Sequence, residues 1–342
     1  MQKRYILKVA VVILNWNGKE LLEKFLPSVV ANSNSEIATI YLADNASNDD
    51  SVAFVEKKYP SVKIIKHKEN LGYAGGYNEA LKHVKESLFC LLNSDVEVAK
   101  NWLEPIIELF KQEANTAIIQ PKILDYKDKT KFEYAGAAGG FIDKFAYPFC
   151  RGRIFNTIEK DKGQYNDIYS IFWASGACFF IRREVFFGLN GFDTDYFAHQ
   201  EEVDLCWRAK NLGYTVKYNG FSTVYHVGGA TLNSINPKKT FLNFRNSLFN
   251  LLKNAPSNGL FKLIFLRLLL DGVAGVKFFL SLKPIHTFAI IKAHFSFYSH
   301  LKKMLRKRRI IPNKISNYYF KKSIVYQYFI LNIKDFFQLI KK

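Results

Sequence analysis

The stretch "GFDTDYFAHQEEVDLCWRAKNLGY" gathers five carboxylates, Asp193, Asp195, Glu201, Glu202 and Asp204, within twelve residues of a chain whose formal net charge is +19. Acids near a helix N-terminus are favoured by the helix dipole, and capping accounts for one or two of them. It accounts less well for the adjacent pair Glu201-Glu202, followed by Asp204 and an apolar Val203/Cys206/Trp207 face. General acid–base work is what paired carboxylates offer.

Four other segments carry possible chemistry. "LLNSDVEV" ends an apolar run on Asn93 and Asp95, whose side chains share one face of a strand. Asp95 either caps the following "NWLEPIIELF" or ligates a hard cation, since Mg²⁺ or Mn²⁺ takes carboxylate oxygens together with substrate phosphates. His226 in "VYHVGG" is either a satisfied strand-end histidine or a metal ligand. Asp44 in "LADNASND" either makes an Asx turn or accepts hydrogen bonds from a ribose or base. In "ENLGYAGGYNEAL", Gly72, Gly75 and Gly76 precede a helical pattern, where backbone approaches a ligand closely and a helix N-terminus favours phosphate. The spacing is neither a P-loop nor GxGxxG.

The elements that position these residues alternate. "KVAVVILNW", "IATIYLADNAS", "VKIIKHKEN" and "LFCLLNSDVEV" read as buried strands, and "GKELLEKFLPSVV", "DDSVAFVEKKYP" and "GYNEALKHVKE" as the helices between them. Apolar strands separated by amphipathic helices predict a parallel sheet covered on both faces, with ligands beyond the C-terminal strand ends. The polar clusters sit at those ends. Residues 121–239 read as mixed sheet and loops completing the same domain.

With 342 residues, 49% apolar and 16% aromatic, the chain has ample material for a core and is not disordered. The four cysteines show no CxxC spacing, which points away from disulfides and zinc and toward a reducing cytosol. The basic, then apolar, N-terminus mimics a leader, but its short apolar run reads as the first strand. Of the 49 basic and 30 acidic residues, 19 and two respectively fall at 240–342. The first 239 residues are therefore near neutral, and the basic remainder implies an anionic partner.

Taken in order, "VVILNWNG", "LADNASNDDS", "ENLGYAGGYNEAL", "LLNSDVEV", "SGACFFIRREVF", the carboxylate-rich stretch and "VYHVGG" resemble the family 2 inverting glycosyltransferases, closest to their bacterial rhamnosyltransferase-like branch. The likeness covers about residues 8–250. It implies an α/β GT-A fold with a mostly parallel central sheet, and sugar transfer from a nucleoside diphosphate sugar with inversion. On that resemblance Asn15, Asn17 and Asp44 hold base and ribose, and Asn70, Gly72, Gly75 and Asn78 line diphosphate and sugar. Asp95 and His226 bind the divalent metal, Mg²⁺ or Mn²⁺, with Asn93 replacing the first acid of the family's DxD-like motif. Trp173, Ser175 and Gly176 flank sugar and acceptor, and Asp193 and Asp195 shape the acceptor site. Glu202, at the second residue of the family's Glu-Asp pair, is the expected catalytic base, with Glu201 behind it. Asp204 and Arg208 are expected to form an i,i+4 ion pair.

The tail interleaves Lys and Arg with apolar residues. "LFKLIFLRLLLDGVAGVKFFL" looks like a membrane span, but Lys262, Arg267, Asp271 and Lys277 interrupt it. Interface-lying amphipathic helices over 240–342 are expected, with "KKMLRKRR" meeting anionic headgroups. The expectation is thus a GT-A domain over 1–239 and a membrane-associating helical region after it. The enzyme would be peripheral on the cytoplasmic membrane face and would build surface polysaccharide on a saccharide or lipid-linked acceptor, with dTDP-rhamnose the leading donor. A non-catalytic scaffold and, less favoured, a nucleic-acid-binding protein using the basic tail are the alternatives.

Overall fold

Val9–Asn15 (β1) is apolar at six successive positions and buried nearly throughout. Such a strand needs cover on both faces, which β/α winding supplies. The computed structural model describes residues 7–228 and 236–341; the basic start at 1–6 and Gly229 of the "VYHVGG" turn lie outside them. After β1 come α1 (Lys19–Asn32), β2 (Ala38–Asp44), α2 (Ser51–Lys58), β3 (Lys63–Lys66), α3 (Gly72–Ala80) and β4 (Leu88–Asn93). These strands pair in parallel in the order β3-β2-β1-β4. Chain order reverses direction across β1 and β4, and the rim there is where such sheets bind ligands.

The second half adds β5 (Val96–Val98), α4 (Glu104–Gln112), β6 (Thr116–Asp125), a small sheet of β7 (Gly140–Ile142), β8 (Pro148–Cys150), β9 (Arg153–Ile154) and β10 (Thr157–Ile158), then β11 (Ile168–Ser170), β12 (Cys178–Arg182), α5 (Arg183–Gly188), α6 (Glu201–Asn211) and β13 (Thr215–His226). β12 lies antiparallel between β4 and β6, and β13 runs parallel to β6 but antiparallel to β5 and β11. Every antiparallel pairing of the large sheet thus involves β12 or β13, strands of the part read as mixed. Side chains alternate across the sheet: Val9, Val11 and Ile13 pack with Leu22 and Leu26 of α1, whereas Ala10 and Val12 face Tyr77 of α3 and the helices beyond.

The glycines expected as a turn ahead of a helix are instead the opening turns of α3. Gly72 enters it at φ +68, and a Cβ on Gly76 would lie 2.8 Å from Leu14 Cδ1. Close helix-on-strand packing is what Gly76 provides.

The C-terminal region comprises α7 (Pro237–Asn254), α8 (Leu260–Leu280), α9 (Pro284–Ser299), α10 (Leu301–Arg308), α11 (Ile324–Phe329) and α12 (Phe336–Lys341). Residues 246–254 of α7 are buried throughout, and α7 packs on α6, α9 and α10. Phe336 of α12 returns to Phe141 of β7, and Ile324 N donates to Asp143 Oδ2 at 2.9 Å. The charge boundary near residue 240 therefore falls inside a packed helix. Among the described residues no helix is long and apolar enough to cross a membrane.

Candidate functional site

The sheet register sets the rim. Asn15 at the end of β1 pairs with Asp44 at the end of β2, and Leu14 pairs with Asn93 at the end of β4. Buried Asn15 donates through Nδ2 to Asp44 Oδ1 (3.1 Å), Ser47 Oγ (3.1 Å) and Ser51 Oγ (2.9 Å), and Ser47 N donates to Asp44 Oδ2 at 3.1 Å. Gly18 is needed beside them, since a Cβ there would stand 2.5 Å from Asn15 Oδ1. Asn17, at φ +50, accepts from Asn48 N through Oδ1 at 2.7 Å. Next to this group Asn45 donates to Asn70 Oδ1 (2.9 Å) and Gly72 O (3.1 Å), which ties the β2 exit to the α3 entrance.

Asp95 directly precedes β5, and its Oδ1 lies 3.1 Å from His226 Nε2 at the end of β13. Asn93 Nδ2 reaches the same ring nitrogen at 3.5 Å. On the opposite side of the ring, Glu133 Oε1 approaches Nδ1 at 3.4 Å, an ion-pair distance without hydrogen-bond geometry, so Nδ1 is left as a buried unpartnered atom. The other Glu133 oxygen accepts from Ala135 N (2.7 Å) and Gly136 N (3.1 Å), which fixes the carboxylate in place. Burial pulls the imidazole toward neutrality, but the two carboxylates outweigh it and push its pKa up to about 10. Without a metal, a proton on His226 does the neutralising that a cation would do.

Among the described residues no three His, Cys, Asp or Glu side chains converge on one point. What is present is one carboxylate and one imidazole nitrogen side by side, with a second carboxylate behind the ring. That donor set fits Mg²⁺ or Mn²⁺ completed by substrate phosphate oxygens and water, and Glu133 takes the orienting place behind a ligating histidine.

The carboxylate pair opens α6. Glu201 is buried with Oε2 unpartnered, and Glu202 is half-buried. Desolvation raises both: Glu201 well above the ordinary range, with Glu202 adding repulsion, and Glu202 to about 7. Burial lifts the Tyr73 hydroxyl, and both glutamates add to the rise, so the pair lies near α3. Tyr73 OH donates to Gly176 O at 2.8 Å, and Asn93 N donates to Ala177 O at 3.0 Å. Through these contacts α3, the Ser175-Gly176 loop and the end of β4 share one rim, and Ala174 N, which donates to Cys206 Sγ at 3.4 Å, brings α6 to that loop.

The loop into α6 is strained. Phe197, His199 and Gln200 all have positive φ, at 65, 66 and 73, and non-glycine residues keep such a backbone only where surroundings impose it. The surroundings here are α7. Asn246 Nδ2 reaches Tyr196 O (3.0 Å), Ala198 O (3.0 Å) and His199 O (2.7 Å). One turn on, Asn250 Oδ1 accepts from Tyr196 OH at 2.7 Å, and a further turn on, Asn254 Nδ2 donates to Asp204 Oδ1 at 2.8 Å.

Several expected residues have other partners. Asp193 and Asp195 do not offer free carboxylates. Lys253 Nζ meets Asp193 Oδ2 at 2.6 Å, Lys303 meets Asp195 Oδ1 at 2.6 Å, and Lys307 bridges both aspartates. Burial would raise the Asp195 carboxyl, but Lys303 and Lys307 hold it below its usual value. Asn78 uses its whole amide on the backbone of Phe192, at 2.9 and 2.8 Å. Trp173 is buried, donates to Phe141 O at 2.9 Å and would overlap any Cβ on Gly140. Ser175 N donates to Gln120 Oε1 at 2.8 Å. Gly75 lies inside α3 rather than in a loop. The Asp204–Arg208 pair is present at 2.7 Å, and Lys253 adds a second cation to Asp204 at 2.8 Å. Tyr73, Glu133 and the α7 asparagines were missed. For Glu133 the signal was an acid inside the Gly-rich "FEYAGAAGG", and for the asparagines their spacing four apart in the helical "FLNFRNSLFNLLKN".

Comparison with known proteins identifies the family and the fold. Residues 10–187 match the model of Glycosyl transferase family 2. The N-acetylglucosaminyl-diphospho-decaprenol L-rhamnosyltransferase of Mycobacterium tuberculosis is 24% identical over 231 residues, which cover 63% of this chain and 75% of that protein. The crystal structure of GalNAc-T7 with UDP, GalNAc and Mn²⁺ superposes with a TM-score of 0.53 at 19% identity, covering 65% of this chain and 43% of that one. The mannosyltransferase PcManGT from Pyrobaculum calidifontis, in complex with GDP-Man and Mn²⁺, gives 0.52 at 13% identity, covering 90% and 86%. The fold is GT-A, and with more than half of its length matched by the family model the chain belongs to glycosyl transferase family 2.

Proposed function

We propose that this glycosyltransferase moves a sugar, with inversion, from a nucleoside diphosphate sugar to a hydroxyl of a saccharide or lipid-linked saccharide during surface polysaccharide synthesis. Rhamnose from dTDP-rhamnose leads the donors because the mycobacterial relative is named as a rhamnosyltransferase. Asn15, Asn17 and Asp44 take base and ribose, and Asn70 and Gly72 border the diphosphate. Asp95 and His226 hold a divalent cation, whose Lewis acidity stabilises the departing diphosphate.

The observation that best supports the reading is the half-buried Glu202 carboxylate, pushed up to about 7, at the head of the helix that Cys206 ties to Ala174 beside the Ser175-Gly176 loop. A carboxylate with that pKa accepts a proton well at neutral pH. It removes the acceptor hydroxyl proton as that oxygen bonds to the anomeric carbon and the bond to the diphosphate breaks. Glu201, deeper and harder to ionise, keeps a proton and leaves Glu202 as the charged member of the pair. Such an acceptor places the enzyme on the inner membrane face.

The test is nucleoside diphosphate release with a panel of donors, with Mn²⁺ and with chelator. Metal-dependent release that Glu202→Gln abolishes and Glu201→Gln only weakens is expected. Full activity in both variants would remove the assignment, and the absence of turnover or donor hydrolysis with any donor would favour a non-catalytic scaffold.

A further inference from the structure

Among the described residues, half of the exposed large apolar side chains lie on α8, α9 and the turn between them. Six of the eight on α8, Phe261, Phe265, Leu269, Val273, Val276 and Leu280, are spaced three or four apart and 54% to 76% exposed; at the turn Leu282 is 90% exposed. On α9, Ile285, Phe288 and Phe295 continue the patch at 64% to 70%. An apolar surface of that continuity marks a contact site.

Two of the four charges that interrupt α8 in the sequence do not reach this surface. Arg267 and Asp271 are buried on the opposite side, paired at 2.7 Å. Tyr147 OH donates to Asp271 at 2.8 Å, and Arg267 reaches Phe145 O at 2.5 Å. The exposed charges on the two helices and their turn are Lys262, Lys277, Lys283 and Lys292, all cationic. An apolar face rimmed by lysines alone matches an anionic bilayer, where lysine stems lie along the hydrocarbon boundary and ammonium groups stay among headgroups.

We infer that the α8–α9 hairpin is the element that seats the enzyme in the membrane, entering the headgroup–acyl boundary of an anionic bilayer with Leu280 and Leu282 leading. This deepens the reading that the acceptor sits at a membrane surface. It also replaces the expectation that "KKMLRKRR" does the work, because α10 spends Lys303 and Lys307 on Asp193 and Asp195, and Arg308 on Leu252 O.

All four native cysteines are buried, so a cysteine placed on the surface of the full-length chain is labelled selectively. Leu282→Cys carrying the environment-sensitive dye NBD is mixed with vesicles of phosphatidylglycerol and phosphatidylcholine, with Ile168→Cys on β11 as the reference position. Expected are a blue shift and quenching by acyl-chain nitroxide lipids at 282 and neither at 168. Leu280→Glu/Leu282→Glu should reduce vesicle partitioning by about tenfold or more per residue, with an unchanged melting curve, whereas Lys302→Ala/Arg306→Ala should have a small effect. Three outcomes would overturn the inference: no vesicle binding, binding without a 282 response, or a 282 response to protein concentration alone, which indicates a second copy on the face. Donor hydrolysis in detergent is measured separately, so a failed hairpin and a failed transferase reading are told apart.

Discussion

His226 Nε2 and Asp95 Oδ1 stand 3.1 Å apart although 131 positions separate the two residues in the sequence. β13 ends beside β5, and β5 begins immediately after Asp95, so the register of His226 with Val96 places the imidazole on the carboxylate. Asp95→Ala should therefore remove Mn²⁺ binding measured by calorimetry in the presence of a nucleoside diphosphate. Glu133→Gln, which touches only the far side of the ring, should weaken it by about 10–100-fold. Equal Mn²⁺ affinity in wild type and Asp95→Ala would place the metal elsewhere.

Glu202 predicts a pH profile. Burial pushes its carboxyl up from 4.5 to about 7, so the basic form appears only near neutrality and kcat/KM should rise with pH through about 7. Glu202→Gln should cost about 10²–10⁴-fold.

The same shift has a consequence for stability. The folded chain holds this proton up to about 7 and the unfolded chain releases it near 4.5, so stability is lost as pH rises between those values. Glu202→Gln should raise the Tm at pH 8 and give little gain at pH 4. A lower Tm at pH 8 would contradict the buried-acid account.

Gly18 predicts a donor-side defect. A methyl group there would stand 2.5 Å from Asn15 Oδ1 and disturb the hydrogen bonds to Asp44, Ser47 and Ser51. Gly18→Ala should raise the donor KM while leaving Mn²⁺ affinity within about twofold, a split that steady-state kinetics and calorimetry measure.

The α6 entrance is sensitive to a residue outside the matched region. Asn246→Ala removes the donor that serves three carbonyls of the left-handed loop. A loss of about 1–3 kcal/mol in denaturant unfolding is expected, together with reduced kcat. Wild-type stability would mean the loop holds itself.

Much of this was legible locally. Runs such as "VAVVIL" are apolar on both strand faces and announce a covered parallel sheet, and the polar residues at their ends announce the rim. Asp95 and His226 could be singled out because each ends an apolar strand on a lone functional group. Glu133 could not, since its meeting with His226 depends on the pairing of β6 with β13, 99 residues apart at the Thr116–Thr215 contact, and strand pairing is not written in local pattern. Asp193 and Asp195 misled for a related reason: composition showed a basic tail in want of an anion, and part of the answer lay within the chain itself.

The asparagines of α7 bear on how such enzymes can be recombined. The loop that delivers Glu201 and Glu202 takes its shape from side chains at 246, 250 and 254. A chimera joined at the change in charge near 240 would inherit one parent's carboxylates and the other's mould for them. A transplanted segment that keeps the α6 entrance in this shape therefore runs at least through Asn254.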